Sequence, residues 1–588
     1  MLETNSAADA FQQSVMHAIR SERAVTPTSL TLRITERRDT HFGCKVCVEA
    51  VETDPNGPED TLLMDDRFKG ATVEWAGKTR DKRVIAQFSN DEDNVLYLRG
   101  ASAHELLGVE TLQLDSMDFL TPILNAWKCE IWSEKALRVF AAMKSTIPVD
   151  DVALAQQSIS ARLSSSQKGA LTLVNYQLGY LWGPPGTGKT ETCAVKLATY
   201  LMAKQEAKIL VVGIANDPLD QVVQRTDQLL KLFGRNDLRG HMTRYAISAV
   251  RHFLEHLLPG KNDALATRRP KPDDQPPVSK DPEMLGFDSN RKVTRLFALS
   301  IASAIARIEQ LRALGPFDLL LIEEGSQANL AQVLPLMALA KSTVIAGDPS
   351  QLSPVAKSDR PEVKEWMARS AFALMPSMEA DSVYMLREQR RMDEKICRLV
   401  SAVGYNNTLV TAPDCLTDGL WQSERRIVFA DYAADQAVVI PALNMTPSPH
   451  KGARFRVESA SRILEMLLQQ RSEVPGFKTA DVFVLSPFRL QVRMIRAMLD
   501  RHGFKDVRVK TVHQTQGKEA TIVIFDPVDG NCPFLKSEEA RRLMTVAFSR
   551  AKAKLLVLAT EGDCANPILQ KVKDLAEKLI SETTPLSV

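Results

Sequence analysis

Residues 178–191 read LGYLWGPPGTGKTE. A short apolar run ends in the loop Gly183, Pro184, Pro185, Gly186, Thr187 and Gly188, and Lys189 and Thr190 follow. Beyond them Ala194, Val195, Ala198, Leu201 and Met202 recur at helical spacing. The order predicts a strand, a phosphate-binding loop and a helix. Glycines let successive backbone N–H groups turn onto a phosphate, and the helix N-terminus adds a positive dipole end. In this pattern Lys189 reaches the β- and γ-phosphates and the Thr190 hydroxyl holds Mg²⁺. A Gly/Pro-rich surface turn is the bland alternative, and the strand before and helix after the loop argue against it. The expected ligand is a nucleoside triphosphate.

Working outward, residues 208–214 (KILVVGI), 317–322 (FDLLLI) and 342–347 (STVIAG) are apolar runs flanked by helical periodicity. Such runs predict a parallel sheet covered on both faces. A second α/β set begins near residue 380, with strands expected at 426–432, 481–487, 507–513, 521–528 and 554–560. It has no phosphate loop of its own and is expected to supply groups to nucleotide bound on the first. Upstream, β-like runs at 29–35, 44–51, 71–76, 83–88 and 94–100 predict a small barrel. Phe11, Val15 and Ile19 predict a short opening helix, and 119–143, with Trp127 and Trp132, a helical connector. Arg37, Arg38, Lys69, Lys78, Arg80, Lys82 and Arg83 are either solvated loop charges or the lining of a nucleic-acid groove.

The expected organisation is an accessory β domain at 1–115, a connector at 116–150, a first α/β domain at 151–378 and a second at 379–588. An insertion is expected at about 226–292; within it residues 260–290 are rich in proline and charge. The chain has 588 residues, net charge +2 and 44% apolar residues, so any basic track must be local. No apolar run approaches a membrane span and no secretory leader is evident. Cys44 and Cys47 form a solitary CxxC, for which alternation of Cys44 with Val46 and Val48 on a strand is a better account than zinc. These features suggest a reduced, cytoplasmic setting.

The strand at 317–322 delivers Glu323 and Glu324 to its carboxyl end, where open α/β sheets bind ligands. One carboxylate there can hold Mg²⁺ and its neighbour can orient an attacking water. Together LIEEGSQA, AGDPSQLSP, LREQRRM (386–392), LSPFRLQV (485–492), TVHQTQGKEATIVIF (511–525) and RLMTVAFSRAKAKLLVLA (542–559) resemble the ordered motifs of superfamily 1 helicases. Within these, the resemblance is to the 5′→3′ branch typified by the nonsense-mediated-decay RNA helicase and its bacterial relatives, over about residues 160–560.

The resemblance implies two RecA-like parallel-sheet domains and an ATP- and Mg²⁺-dependent helicase or translocase on single-stranded DNA or RNA, acting as a monomer. The barrel would be a stalked accessory domain on the nucleic acid. Gln167 would read the adenine, Gln351 would sense the γ-phosphate, and Glu519 would contact the ribose. Arg391 and Arg550 would stabilise the transferring phosphoryl group, Thr190 and Glu323 would hold Mg²⁺, and Glu324 would activate water. Asn216, Asp220, Ser303, Ser486, Pro487 and Thr511 would track the strand, although Asp220 and Ser303 are equally residues that cap helices. The chain also departs from the family pattern. It has Glu323-Glu324 for Asp-Glu, Gln389-Arg390-Arg391-Met392 for Gln-Tyr-Arg-Met, Thr545 for Asn, and Thr521 for an acidic residue. An ATP-gated strand clamp with blunted turnover is the alternative reading.

Overall fold

The computed structural model describes residues 2–26, 29–40, 43–50, 72–78, 84–88, 95–115, 118–128, 130–149, 151–154, 158–245, 294–413, 415, 426–430, 438–440, 453–473, 477–515 and 517–581. The 260–290 segment, Lys69, Arg80, Lys82 and Arg83, and the Trp132 side chain lie outside the described residues. The chain divides into two compact units. One comprises Met1–Glu22 with Pro122–Gln422, the other Arg23–Thr121 with Ser423–Val588. Among the described residues no helix is long and apolar enough to cross a membrane.

In the second unit, β1 (Ser29–Thr40), β2 (Gly43–Ala50), β3 (Thr72–Glu74), β4 (Ile85–Phe88), β5 (Val95–Arg99) and β6 (Thr111–Asp115) close an antiparallel barrel in the order β1-β2-β5-β4-β3-β6. Alternation puts Cys44, Val46 and Val48 of β2 inside, with Leu32, Leu96, Leu98, Leu112 and Leu114. The Cys44 thiol is therefore core, and burial raises its pKa. The last strand was not expected from the sequence, because TLQLD is short and half polar. Two of the basic residues read as groove candidates serve the barrel itself: Arg37 bonds the Leu106 carbonyl, and Lys78 pairs with Glu74 at 2.7 Å.

The first unit is built on β7 (Leu178–Trp182), β8 (Ile209–Gly213), β9 (Met242–Arg244), β10 (Leu296–Ser300), β11 (Phe317–Glu323), β12 (Ala340–Gly347) and β13 (Val383–Met385). They form one parallel sheet in the order β13-β7-β12-β11-β8-β10-β9. Parallel neighbours need crossover connections, and helices such as Lys189–Ala203 and Asn216–Leu232 supply them. Covered on both faces, β7 and β8 are almost wholly apolar and buried, as are residues 319–322 of β11 and 344–346 of β12. Register then fixes the site: Gly347 lies beside Trp182, and Glu323 beside Gly213, all at the carboxyl edge.

Several boundaries differ from the sequence reading. The opening helix is long, Leu2–Ala24, and residues up to Glu22 group with the first unit rather than with the barrel. Phe11 makes the difference, meeting Trp366 edge-on at 5.2 Å and Trp127 at 5.7 Å. Glu22 adds to it by accepting the backbone N–H groups of Lys357 and Ser358. Beyond residue 379, β13 extends the first sheet, and the first unit continues to Gln422. Residues 226–245, read as the start of an insertion, instead complete a helix and add edge strand β9.

Two short pairs follow, β14 (Glu388–Gln389) with β15 (Val410–Thr411), and β17 (Val438–Ile440) with β18 (Ala453–Phe455). The second unit's α/β part has β16 (Arg426–Ala430), β19 (Val482–Ser486), β20 (Arg508–Thr511), β21 (Ala520–Phe525) and β22 (Ala551–Leu558) in a parallel sheet ordered β16-β22-β21-β19-β20. The molecule is thus mixed α/β, with two parallel sheets and a closed six-stranded barrel.

Candidate functional site

The loop after β7 is held from three sides within the first unit. Gly183 N–H donates to Gly347 O at 2.9 Å, Thr187 Oγ1 to Pro184 O at 2.7 Å, and Arg390 N–H to Gly186 O at 2.9 Å. Gly186 and Gly188 have φ of 76° and 78°, a region in which a side chain is strained. A Cβ on Gly186 would also lie 2.7 Å from the Arg391 Cβ, so the segment 389–392 packs directly on the loop. Gln389 secures that segment by accepting the N–H groups of Arg391 and Met392.

Lys189 begins the following helix, and its ammonium lies 2.7 Å from Glu324 Oε1 and 3.8 Å from Glu323 Oε1. Strand β11 ends at Glu323, and the chain turns through Glu324 with φ of 53°. That left-handed turn is uncommon for a residue with a side chain, and it goes with two successive carboxylates facing one lysine. Burial opposes charge on Lys189, yet Glu324 and Glu323 together keep its pKa above the ordinary range. Glu323 is 1% exposed, and burial raises its carboxyl well above the usual carboxylate value despite Lys189. Its other oxygen accepts from the Cys193 thiol at 3.7 Å, a contact the longer glutamate side chain makes from the strand end.

Gln167 is buried beside the loop. Its Nε2 donates to Thr187 O at 3.1 Å, while its Oε1 accepts Ser164 N–H in a capping box. Gln351 Nε2 donates to Asp348 Oδ2 at 2.6 Å. The buried Asp348 also accepts from Trp182 Nε1 at 2.9 Å and Tyr405 Oη at 2.6 Å, and burial raises its pKa against these donors. The structure therefore brings together Lys189, Glu323, Glu324, Gln351, Gln167 and the segment carrying Arg391.

The residues read as strand contacts separate into groups. Asn216 and Asp220 are both held by buried Arg244, at 2.8 and 2.6 Å, on the first turns of the helix after β8. Ser303 is buried and its hydroxyl accepts from Arg307 at 2.7 Å, so helix structure accounts for it. In the second unit Ser486 and Thr511 end the neighbouring strands β19 and β20 and sit side by side in register, with Pro487 next in the chain. Arg550 is buried, bonding Val546 O at 3.1 Å and Lys518 O at 3.2 Å, while Glu519 pairs with Lys552. Thr545, where the family pattern has asparagine, returns its hydroxyl to Arg541 O at 2.9 Å.

Sequence reasoning missed Arg244, Asp348, Tyr405, Cys193 and Lys196. Asp348 carried a signal, as part of AGDPSQLSP, and so did Lys196, as a lysine inside the apolar pattern after the loop. Among the described residues the Lys196 amine has no hydrogen-bond partner, and the side chain is fully buried.

The loop's N–H groups, the Lys189 ammonium and the glycines that admit no Cβ fit a triphosphate. Thr190 on the first helical turn and Glu323 at the strand end offer the hard oxygens that Mg²⁺ prefers.

The profile of a family described as an AAA domain matches residues 367–562. An uncharacterized ATP-dependent helicase of Methanocaldococcus jannaschii is 24% identical over 471 residues, covering 68% of this chain and 68% of that protein. The DNA polymerase alpha-associated DNA helicase A of Schizosaccharomyces pombe is 28% identical, covering 67% of this chain and 63% of that one. A regulator of nonsense transcripts 1 homolog of Arabidopsis thaliana is 25% identical, covering 67% of this chain and 32% of that one. The chain thus spans roughly two-thirds of the first two relatives and a third of the last. In its ordered motifs, and in a phosphate loop facing two carboxylates, the chain is similar to superfamily 1 ATP-dependent helicases and resembles the nonsense-mediated-decay helicase, a likeness that supports an ATPase.

Proposed function

We propose that this chain couples ATP hydrolysis to 5′→3′ movement along single-stranded DNA or RNA, using two RecA-like domains. The observation that carries the reading is the convergence on one loop of Lys189, the Glu323-Glu324 pair and the Arg391 segment. Glu324 pairs with Lys189 across the mouth of the loop. A bound triphosphate replaces that partner, freeing the Glu324 carboxylate to orient and deprotonate water. Thr190 and Glu323 would hold Mg²⁺, which when bound offsets phosphate charge. Gln351 senses the γ-phosphate, and Arg391 and Arg550 stabilise charge developing on the transferred group through their planar forks. Gln167 and Glu519 contact base and ribose. Asn216, Asp220, Ser486, Pro487 and Thr511 serve a largely sequence-independent strand track. Ser303 is left outside this track, because it is buried, its N–H donates to Ser300 Oγ, and its carbonyl and hydroxyl accept from Arg307.

A clamp with blunted turnover is favoured by one observation, the burial of Glu323 against a thiol. The test is steady-state ATP hydrolysis without polymer, with single-stranded DNA and with single-stranded RNA, against Lys189→Ala. Stimulation by one polymer, abolished in the variant, is the expected result and names the track. Turnover at the variant's level with both polymers, despite ATP-dependent strand binding, would favour the clamp. Unwinding only of duplexes with a 3′ tail would reverse the direction.

A further inference from the structure

The Asp348 carboxylate sits where three segments meet, and each of its oxygens is doubly engaged. Oδ1 accepts Trp182 Nε1 at 2.9 Å and Ser350 N–H at 3.0 Å. Oδ2 accepts Gln351 Nε2 and Tyr405 Oη, both at 2.6 Å. Trp182 is the last residue of β7, directly before the phosphate loop. Tyr405 follows the Glu394–Gly404 helix, which starts three residues after Arg391. One buried anion thus joins the base of the loop, Gln351 and the far end of the helix that follows Arg391.

Hydrogen bonds to a carboxylate are short and strong, and in a buried network each donor polarises the others. The donors also fix direction. With Trp182 and Ser350 on one oxygen and Tyr405 on the other, the remaining acceptor position is the one the Gln351 amide fills. Remove the phenol and Oδ2 has one donor fewer, so the carboxylate can rotate and the Gln351 amide with it. The Tyr405 and Trp182 rings that bring these donors lie 6.4 Å apart, tilted at 49°.

We propose that Tyr405 and Trp182 are positioning residues which, through Asp348, hold the Gln351 amide in the orientation that turnover requires. The inference rests on the reading of Gln351 as the γ-phosphate sensor. It adds two residues that lie outside the motif residues assigned to turnover, one of them 57 positions from Asp348 in the chain.

The test is steady-state ATP hydrolysis by the full chain, with and without poly(dT) and poly(U), recording kcat and KM separately. Tyr405→Phe is expected to lower kcat about tenfold, the scale of one hydrogen bond to a charged group. KM for ATP is expected to stay within about twofold, because ground-state binding is untouched. Combined with Gln351→Ala, Tyr405→Phe is expected to add nothing, since the two act through one contact. Trp182→His keeps a ring N–H and is expected to retain more kcat than Trp182→Phe. That contrast decides the matter if Tyr405→Phe melts early. An unchanged kcat in Tyr405→Phe, a loss that multiplies on Gln351→Ala, or equal behaviour of the two Trp182 variants would overturn the proposal. If neither polymer stimulates the parent protein while these patterns hold in polymer-free turnover, the strand-driven reading fails and the positioning role stands.

Discussion

Lys196→Met should stabilise the protein at neutral pH. The Lys196 side chain is fully buried on the helix after the phosphate loop, and among the described residues its amine has no hydrogen-bond partner. Burial pulls its pKa down to about 8 from 10.5. At about 1.4 kcal/mol per unit, that difference makes the protonated amine cost roughly 3 kcal/mol in the folded state. The sign follows from proton counting. Between pH 8 and 10.5 the unfolded chain binds a proton that the folded chain does not, so stability climbs with pH across that window. Below pH 8 both states are protonated and the penalty is present in full. Methionine has similar length and no charge, so the variant escapes the penalty. By thermal unfolding at pH 7, its first transition should rise by roughly 5 °C. The gap should narrow progressively from pH 8 to about 10, as the parent amine loses its proton. A variant melting at or below the parent at pH 7, or a gap that ignores pH, would refute the reasoning.

Gly188→Ala should weaken nucleotide binding, because φ of 78° strains any side chain and the new Cβ would sit 2.4 Å from Gln167 Nε2. Displacing Gln167 and the loop together should cost about tenfold or more in affinity for a fluorescent ATP analogue; unchanged affinity would show that the cradle tolerates a methyl group. Burial raises the Glu323 pKa, so the folded chain keeps a proton there that an ordinary glutamate has released. Stability should therefore fall, and kcat/KM for ATP rise, as pH climbs from about 5 toward neutrality. A flat rate profile over that interval would remove Glu323 as an essential carboxylate. Excising residues 29–115 behind a short linker, while keeping the opening helix, should weaken strand affinity in a filter-binding assay and leave ATPase activity measurable. Deleting 1–115 should instead destabilise the first unit, since each aromatic contact of Phe11 contributes about 0.5–1.5 kcal/mol beyond its burial. Equal stability of the two deletions would contradict the packing of that helix.

How much was legible in the sequence can be judged from particular residues. The strand at 178–182, its loop and its helix were readable because each feature is local: an apolar run, glycines at fixed spacing, then a 3.6-residue period. Glu323 and Glu324 were readable as a pair at a strand end for the same reason. The edge strands β9 and β13 were not, being three residues each and carrying no period. The assignment of Ser303 to the strand track came from motif position, and the bond that occupies its hydroxyl comes from Arg307, the residue that caps the end of its own helix. For Asp220 the partner is Arg244, 24 residues away and beyond any local pattern.

By itself, then, the sequence determined the ligand chemistry of the loop, the parallel character of both sheets and the β-rich nature of the segment before them. Periodicity, glycine spacing and residue type act over a few positions, and all three are written in the chain. Tertiary structure alone decided that Lys189 meets a carboxylate 135 positions away, that Trp182 and Tyr405 share Asp348, and that the opening helix packs with the first unit rather than with the barrel it precedes. It also decided that Lys196 is buried with no hydrogen-bond partner among the described residues. Those outcomes depend on which distant segments the crossovers bring to one sheet edge, and no local pattern encodes that.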